Sequence, residues 1–129
     1  MTQKITLVAD ENIPLLDELF ADIATIIRLP GRQMLKSQLL DADALLVRSI
    51  TQVDERLLAQ SKVRFVGTCT IGVDHIDQNY LAQNNIAFSS APGCNAMAVV
   101  DYVMAALFSI NADLAYWQQR RIGIVGYGE

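Results

Sequence analysis

Short apolar runs alternate along most of this chain with segments whose polar positions recur at helical spacing. Ile5–Ala9 (ITLVA) predicts a first strand, followed by Asp10-Glu11-Asn12 and a helix opening around Pro14, whose fixed φ suits a first helical turn. Ala24–Leu29 (ATIIRL) predicts a second strand, closed by Pro30-Gly31. Gln33–Leu40 reads as a helix, Ala44–Val47 (ALLV) as a third strand, and Asp54–Gln60 as a short helix. Arg64–Val66 with Gly67 make a fourth strand, Gln78–Asn84 a helix, and Ile86–Ser89 (IAFS) a fifth strand. Runs this apolar do not suit a sheet with one wet face. Alternating with helices, they predict an α/β fold, a doubly wound parallel sheet covered on both faces.

After Ala91-Pro92-Gly93 the pattern changes. Asn95–Ala115 reads as one helix, about 30 Å long by its rise per residue, with Asn95 as its N-cap. Its stretch Ala96–Ile110 (AMAVVDYVMAALFSI) is apolar almost all round. It is shorter than the ~20 residues that span a bilayer and carries Asp101, so it predicts a helix buried between layers or domains, with no membrane as partner. Trp117–Arg121 form a polar step, and Ile122 opens another strand, IGIV, which runs into Gly126-Tyr127-Gly128. The expected organisation is therefore a first domain over 1–94, a long connecting helix over 95–117, and the start of a second α/β unit over 118–129.

Composition narrows the partners. With 129 residues, 52% of them hydrophobic and 19% charged, the chain is about one domain in size and globular in character. A net charge of −4 argues against a broad surface for nucleic acid or anionic lipid, while a small anion needs only a few local donors. Cys69 and Cys94 lack metal-type spacing, so no metal is expected; they read as small packing residues in a reduced, cytoplasmic protein. MTQKITLVADEN carries no signal peptide pattern.

In open parallel sheets, ligands bind beyond the carboxyl ends of the strands. Those ends carry Asp10, Glu11 and Asn12; Arg48, Ser49, Ile50 and Thr51; Thr68, Cys69, Thr70, Ile71 and Gly72; and Ser89 and Ser90 before the Pro92-Gly93 turn. Hydroxyls and free backbone N–H groups gathered on one edge suit a carboxylate or phosphate. Taken singly, each hydroxyl equally suits a helix cap. Arg48 either grips an anion with its planar fork or bridges to Asp10 or Glu11. His75 is the only histidine; in a turn between Asp74 and Asp77, with neither a nucleophile nor an orienting partner evident, it reads as a hydrogen-bonded turn residue rather than a base. Gly126 and Gly128 behind an apolar run have the strand half of a dinucleotide-binding loop.

VRSIT, GTCTIGVDHID, SSAPGCNAMAVVDYV and IGIVGYG, in this order and spacing, resemble the N-terminal part of the D-isomer-specific 2-hydroxyacid dehydrogenases across essentially the whole chain. The resemblance implies a two-domain oxidoreductase in which a flavodoxin-like substrate domain is interrupted by a Rossmann domain, with the active site in the cleft between them. It implies NAD as cofactor, a small phosphorylated 2-hydroxyacid as substrate, and a homodimer in the full-length enzyme. By matching position, Ser49 and Thr70 are the substrate-binding residues, Ile71 and Gly72 offer backbone donors to the carboxylate, and Arg48 assists. Gly126 and Gly128 open the cofactor loop. The family's catalytic histidine, its carboxylate partner and its orienting arginine lie beyond Glu129, so no catalytic residue is expected in this chain and the chain alone is expected to be inert. Its last strand, lacking parallel neighbours, is expected to fray or to pair with another copy.

Two other classes share parts of this pattern. A signalling receiver domain has similar length, five strands and an acidic pair like Asp10-Glu11. It also needs an aspartate after strand three and a lysine after strand five, where this chain has Arg48-Ser49 and Ser89-Ser90. A non-catalytic module that binds small anions, or associates through the apolar helix, fits the pattern without further requirements.

Overall fold

A computed structural model describes residues 4–125 of the chain. They fall into two units, Met1–Ala91 and Pro92–Glu129. The first contains five strands: β1 (Ile5–Asp10), β2 (Ala24–Leu29), β3 (Ala44–Val47), β4 (Phe65–Thr68) and β5 (Ala87–Ser89). All pair in parallel in the order β2-β1-β3-β4-β5, the flavodoxin-like arrangement in which the winding reverses between β1 and β3. Helices α1 (Leu16–Phe20), α2 (Glu55–Leu58) and α3 (Gln78–Gln83) connect them.

Side chains alternate across the sheet, and this alternation is what makes the fold two-sided. Val8, Leu45, Val47 and Val66 face one way, into a core completed by Leu39, Leu57, Leu58 and Leu81. Leu7, Ala9 and Ala44 face the other way, where Ile13, Leu16 and Phe20 cover them. Each wholly buried Leu or Val contributes about 1.5–3 kcal/mol relative to an exposed one. Gly67 lies on the α1 side of β4, and a Cβ there would come within 2.6 Å of Leu46 Cδ2, so the glycine leaves room for the Leu46 side chain on the neighbouring strand.

Two predicted elements of the first unit take another form. Gln33–Leu40 is not an α-helix but two 3₁₀ turns, Gly31–Gln33 and Lys36–Gln38, because Met34 and Leu35 between them are extended. Gln38 Oε1 accepts the Leu35 N–H at 2.8 Å, which closes the second turn locally. The helix predicted from Pro14 begins at Leu16, after Leu15 turns the chain at φ 60°.

The long helix of the second unit is also shorter than expected. It runs over α4 (Ala96–Ile110) and gives way to α5 (Leu114–Gln118). Asn111 ends it: its side chain accepts the Asp113 N–H at 2.8 Å, and Asp113 in turn caps α5 by accepting the Ala115 N–H at 2.9 Å. Asn95 does sit at the N-cap of α4, but its side chain makes no capping bond. The predicted burial of this helix is not found: Met97 is 71% exposed and Ile110 72%. Nor do Ile122–Val125 form a strand; among the described residues of this unit there is no strand to pair with them. Among the described residues, no helix is long and apolar enough to cross a membrane.

Candidate functional site

Parallel pairing brings the carboxyl ends of β1, β3 and β4 to one edge of the first unit. A cavity of about 390 Å³ opens there, lined by Ser49, Thr70, Gly72, Asp74 and His75. Ser49 stands two residues past the end of β3. Thr70 and Gly72 follow β4 by two and four residues. The loop between Thr68 and α3 is folded back by a single parallel bridge. Val53 N–H donates to His75 O, and Asp77 N–H donates to Val53 O, both at 2.8 Å. Asp77 then caps α3 by accepting the Tyr80 N–H at 2.9 Å.

That fold-back places the His75 ring beside β4. Nε2 lies 2.9 Å from Thr68 Oγ1, Thr68 Oγ1 lies 2.8 Å from Thr70 Oγ1, and Thr70 Oγ1 lies 3.3 Å from Gly72 O. His75 and Thr68 are buried. Burial lowers the His75 pKa below its ordinary value, and the charge of Asp74 opposes that shift. The prediction of a hydrogen-bonded histidine is met, with an addition: His75 is also one of the residues that line the cavity. Its link to Thr68 spans seven positions and depends on a bridge to Val53, so no local spacing announces it. Asp74 joins the lining in the same way.

The remaining predicted residues are distributed as follows. Ser49, Thr70 and Gly72 share the cavity; Arg48 and Ile71 are not among its lining residues. The Ile71 side chain is exposed, so any part it plays falls to its backbone. Among the described residues, the N–H groups of Ile71 and Gly72 make no hydrogen bond. Arg48 turns toward β1, with Nε 3.1 Å from Asp10 Oδ1. The approach is a charge contact without hydrogen-bond alignment, since Arg48 Nε and Asp10 Oδ2 both lack a hydrogen-bond partner among the described residues. Thr51 donates to Gly31 O at 2.9 Å and is structural. Cys69 and Cys94, expected as packing residues, are both exposed. Gly126 and Gly128, the predicted cofactor residues, lie outside the described residues.

A parallel sheet in the order β2-β1-β3-β4-β5 with a polar cavity beyond the carboxyl ends of β3 and β4 defines a doubly wound, flavodoxin-like α/β protein. The family model for the D-isomer specific 2-hydroxyacid dehydrogenase catalytic domain matches residues 4–125, and the chain belongs to that family. It is 56% identical over 122 residues to the erythronate-4-phosphate dehydrogenase of Cellvibrio japonicus (strain Ueda107), covering 95% of this chain and 32% of that protein. It is also 56% identical over 124 residues to the enzyme of the same name from Pseudomonas putida (strain W619), covering 95% and 33%. The chain thus spans about a third of the length of these curated relatives. Among solved structures, it resembles the NAD+-bound 3-phosphoglycerate dehydrogenase of Entamoeba histolytica, with a TM-score of 0.65, 22% identity, and 80% and 38% of the two chains covered. D-lactate dehydrogenase from Aquifex aeolicus, complexed with NAD and lactic acid, also gives a TM-score of 0.65, with 18% identity and 92% and 39% coverage. At these identities the likeness is one of fold.

Proposed function

We propose that this chain is the N-terminal, substrate-binding portion of an NAD-dependent dehydrogenase that oxidises the 2-hydroxyl of erythronate 4-phosphate, on the route to pyridoxal phosphate. The observation that carries the reading is the convergence of Ser49, Thr70 and Gly72 on one cavity past β3 and β4. Identity of 56% to relatives named for that activity supports the choice of substrate.

In this reading the Ser49 and Thr70 hydroxyls donate to the substrate carboxylate, joined by the N–H groups of Ile71 and Gly72. Neutral donors suit the task, because they bind a charge without bringing a second charge that must itself be desolvated. Arg48, held against Asp10, adds positive potential at the same edge without a direct grip. NAD, when bound, would supply the hydride acceptor for the substrate's C2, and by the family resemblance Gly126 and Gly128 would be the residues that meet its pyrophosphate. The proton of the 2-hydroxyl goes to a base outside residues 1–129. His75, the sole histidine, has Nε2 engaged with Thr68. This chain therefore binds and orients the substrate, and by itself turns none over.

A two-dimensional NMR titration of the chain with erythronate 4-phosphate, 3-phosphoglycerate and inorganic phosphate tests the assignment. Erythronate 4-phosphate is expected to shift the amides of Ser49, Thr70, Ile71 and Gly72. Ser49→Ala or Thr70→Ala is expected to weaken binding roughly ten-fold or more, the value of a hydrogen bond to a charged group. A tighter response to 3-phosphoglycerate, no binding, or binding indifferent to both substitutions overturns the reading.

A further inference from the structure

The polarity of the hydrogen bonds that end at Thr70 can be worked out from their far end. Gly72 O carries no proton, so Thr70 donates the 3.3 Å bond between them. A hydroxyl has one proton to give. With Thr70's spent, Thr68 must donate the 2.8 Å bond that joins the two hydroxyls. Thr68 is then spent as well, and the 2.9 Å bond to His75 must come from the ring. All three bonds are made together only when His75 carries a proton on Nε2.

We propose that His75 is a positioning residue for the anion site: as the Nε2–H tautomer it orders Thr68 and Thr70 so that the Thr70 hydroxyl reaches the cavity as a donor. This rests on the reading of the cavity as a carboxylate site. The opposite tautomer reverses the two bonds that Thr68 makes and breaks the one from Thr70 to Gly72 O. Nε2 would then draw in the proton of Thr68, Thr68 would draw in that of Thr70, and Thr70 would present lone pairs to the incoming carboxylate. The state of one ring thus sets whether a hydroxyl two links away attracts or repels the ligand, and each bond in the series strengthens the next. A carboxylate oxygen takes over the proton that Thr70 gives Gly72 O, a bond long enough to be surrendered cheaply.

The surroundings hold the ring in place for this task. His75 O accepts from Val53 and the side chain is buried. Burial also favours the neutral imidazole, for which the choice of tautomer matters.

Two measurements on the 129-residue chain test the proposal. In histidine-labelled protein without ligand, nitrogen NMR is expected to place the proton of neutral His75 on Nε2; a proton on Nδ1 overturns it. Thr68 is not among the cavity-lining residues, so Thr68→Val, close to it in shape, interrupts the series without removing a ligand contact. It is expected to weaken erythronate 4-phosphate binding about five-fold, the value of one neutral hydrogen bond, with Thr68→Ser restoring it. Binding unchanged in Thr68→Val overturns the proposal and leaves the substrate reading intact. Failure of the unsubstituted chain to bind erythronate 4-phosphate overturns the substrate reading and the anion-site role of His75 together, and the tautomer, read without ligand, tells the two failures apart.

Discussion

Asp10 ends β1 with its side chain wholly out of solvent. A carboxylate in that position has to be compensated, and the chain supplies Asn12 N–H at 2.9 Å and Arg48 Nε at 3.1 Å, both toward Oδ1. Gly31 makes room on the other side, since a Cβ there would collide with the Asp10 carboxylate. Removing the cation alone strands the anion. Removing one partner of a fully buried pair costs about 3–5 kcal/mol; the Arg48 side chain is 34% exposed, so water reduces this to about 1–3 kcal/mol. Arg48→Leu is expected to lose that much in urea denaturation, and adding Asp10→Asn is expected to recover part of it. A double variant as unstable as the two losses summed would show that the pair is not coupled. His75 makes a second prediction at this scale. Its folded pKa lies below the unfolded value of 6.5 because burial disfavours the charged ring. Between those two values the unfolded chain binds the proton more readily, so stability rises with pH across the interval. The His75 contribution is whole above about pH 6.5 and is lost as pH falls through the folded pKa. Urea midpoints from about pH 7.5 down to 5 should therefore decline less in His75→Gln than in the unsubstituted chain; parallel profiles would refute the linkage.

Single elements show how a few polar side chains decide where helices start and stop. Asp77 caps α3 and, through its backbone, closes the bridge to Val53 that carries His75. Asp77→Ala is expected to cost about 1 kcal/mol in denaturation, with Asp77→Asn retaining most of the cap; equal losses in both would assign the effect to something other than capping. The same physics separates what the sequence makes legible from what it hides. All five strands are legible as short apolar runs, and the central one, ALLV at Ala44–Val47, is unbroken because it is covered on both faces. Ser49 and Thr70 are legible as neighbours because parallel strands deliver their carboxyl ends to one edge, and Val47 pairs with Thr68 in the register. The break between α4 and α5 is harder to see. Asn111 and Asp113 compete for backbone N–H groups within a run that is otherwise continuously helix-compatible. The 3₁₀ turns around Met34 are hidden for another reason: Leu39 has to reach the core, and that demand is tertiary. His75 and Thr68 meet only because Val53, more than twenty residues earlier in the chain, receives the returning loop.

On the scale of the whole chain, every residue of the three core clusters lies between Leu7 and Phe88, within the first unit. The second unit instead carries exposed apolar side chains, among them Met97, Val99, Tyr102 and Ile110 on α4. Burial of apolar surface is the main favourable term in folding, so stability should reside where the clusters are. Residues 1–91 prepared alone are therefore expected to unfold in one cooperative urea transition, with a free energy within about 1 kcal/mol of that of the whole chain. They should also bind a hydrophobic dye such as ANS less than the whole chain does, because the α4 side chains are gone. The cavity residues Ser49, Thr70, Gly72, Asp74 and His75 all belong to this portion, and the amide shifts produced by erythronate 4-phosphate should survive the shortening. A shortened chain that is molten, with strong dye binding and no cooperative transition, would overturn the assignment of the chain's stability to residues 1–91.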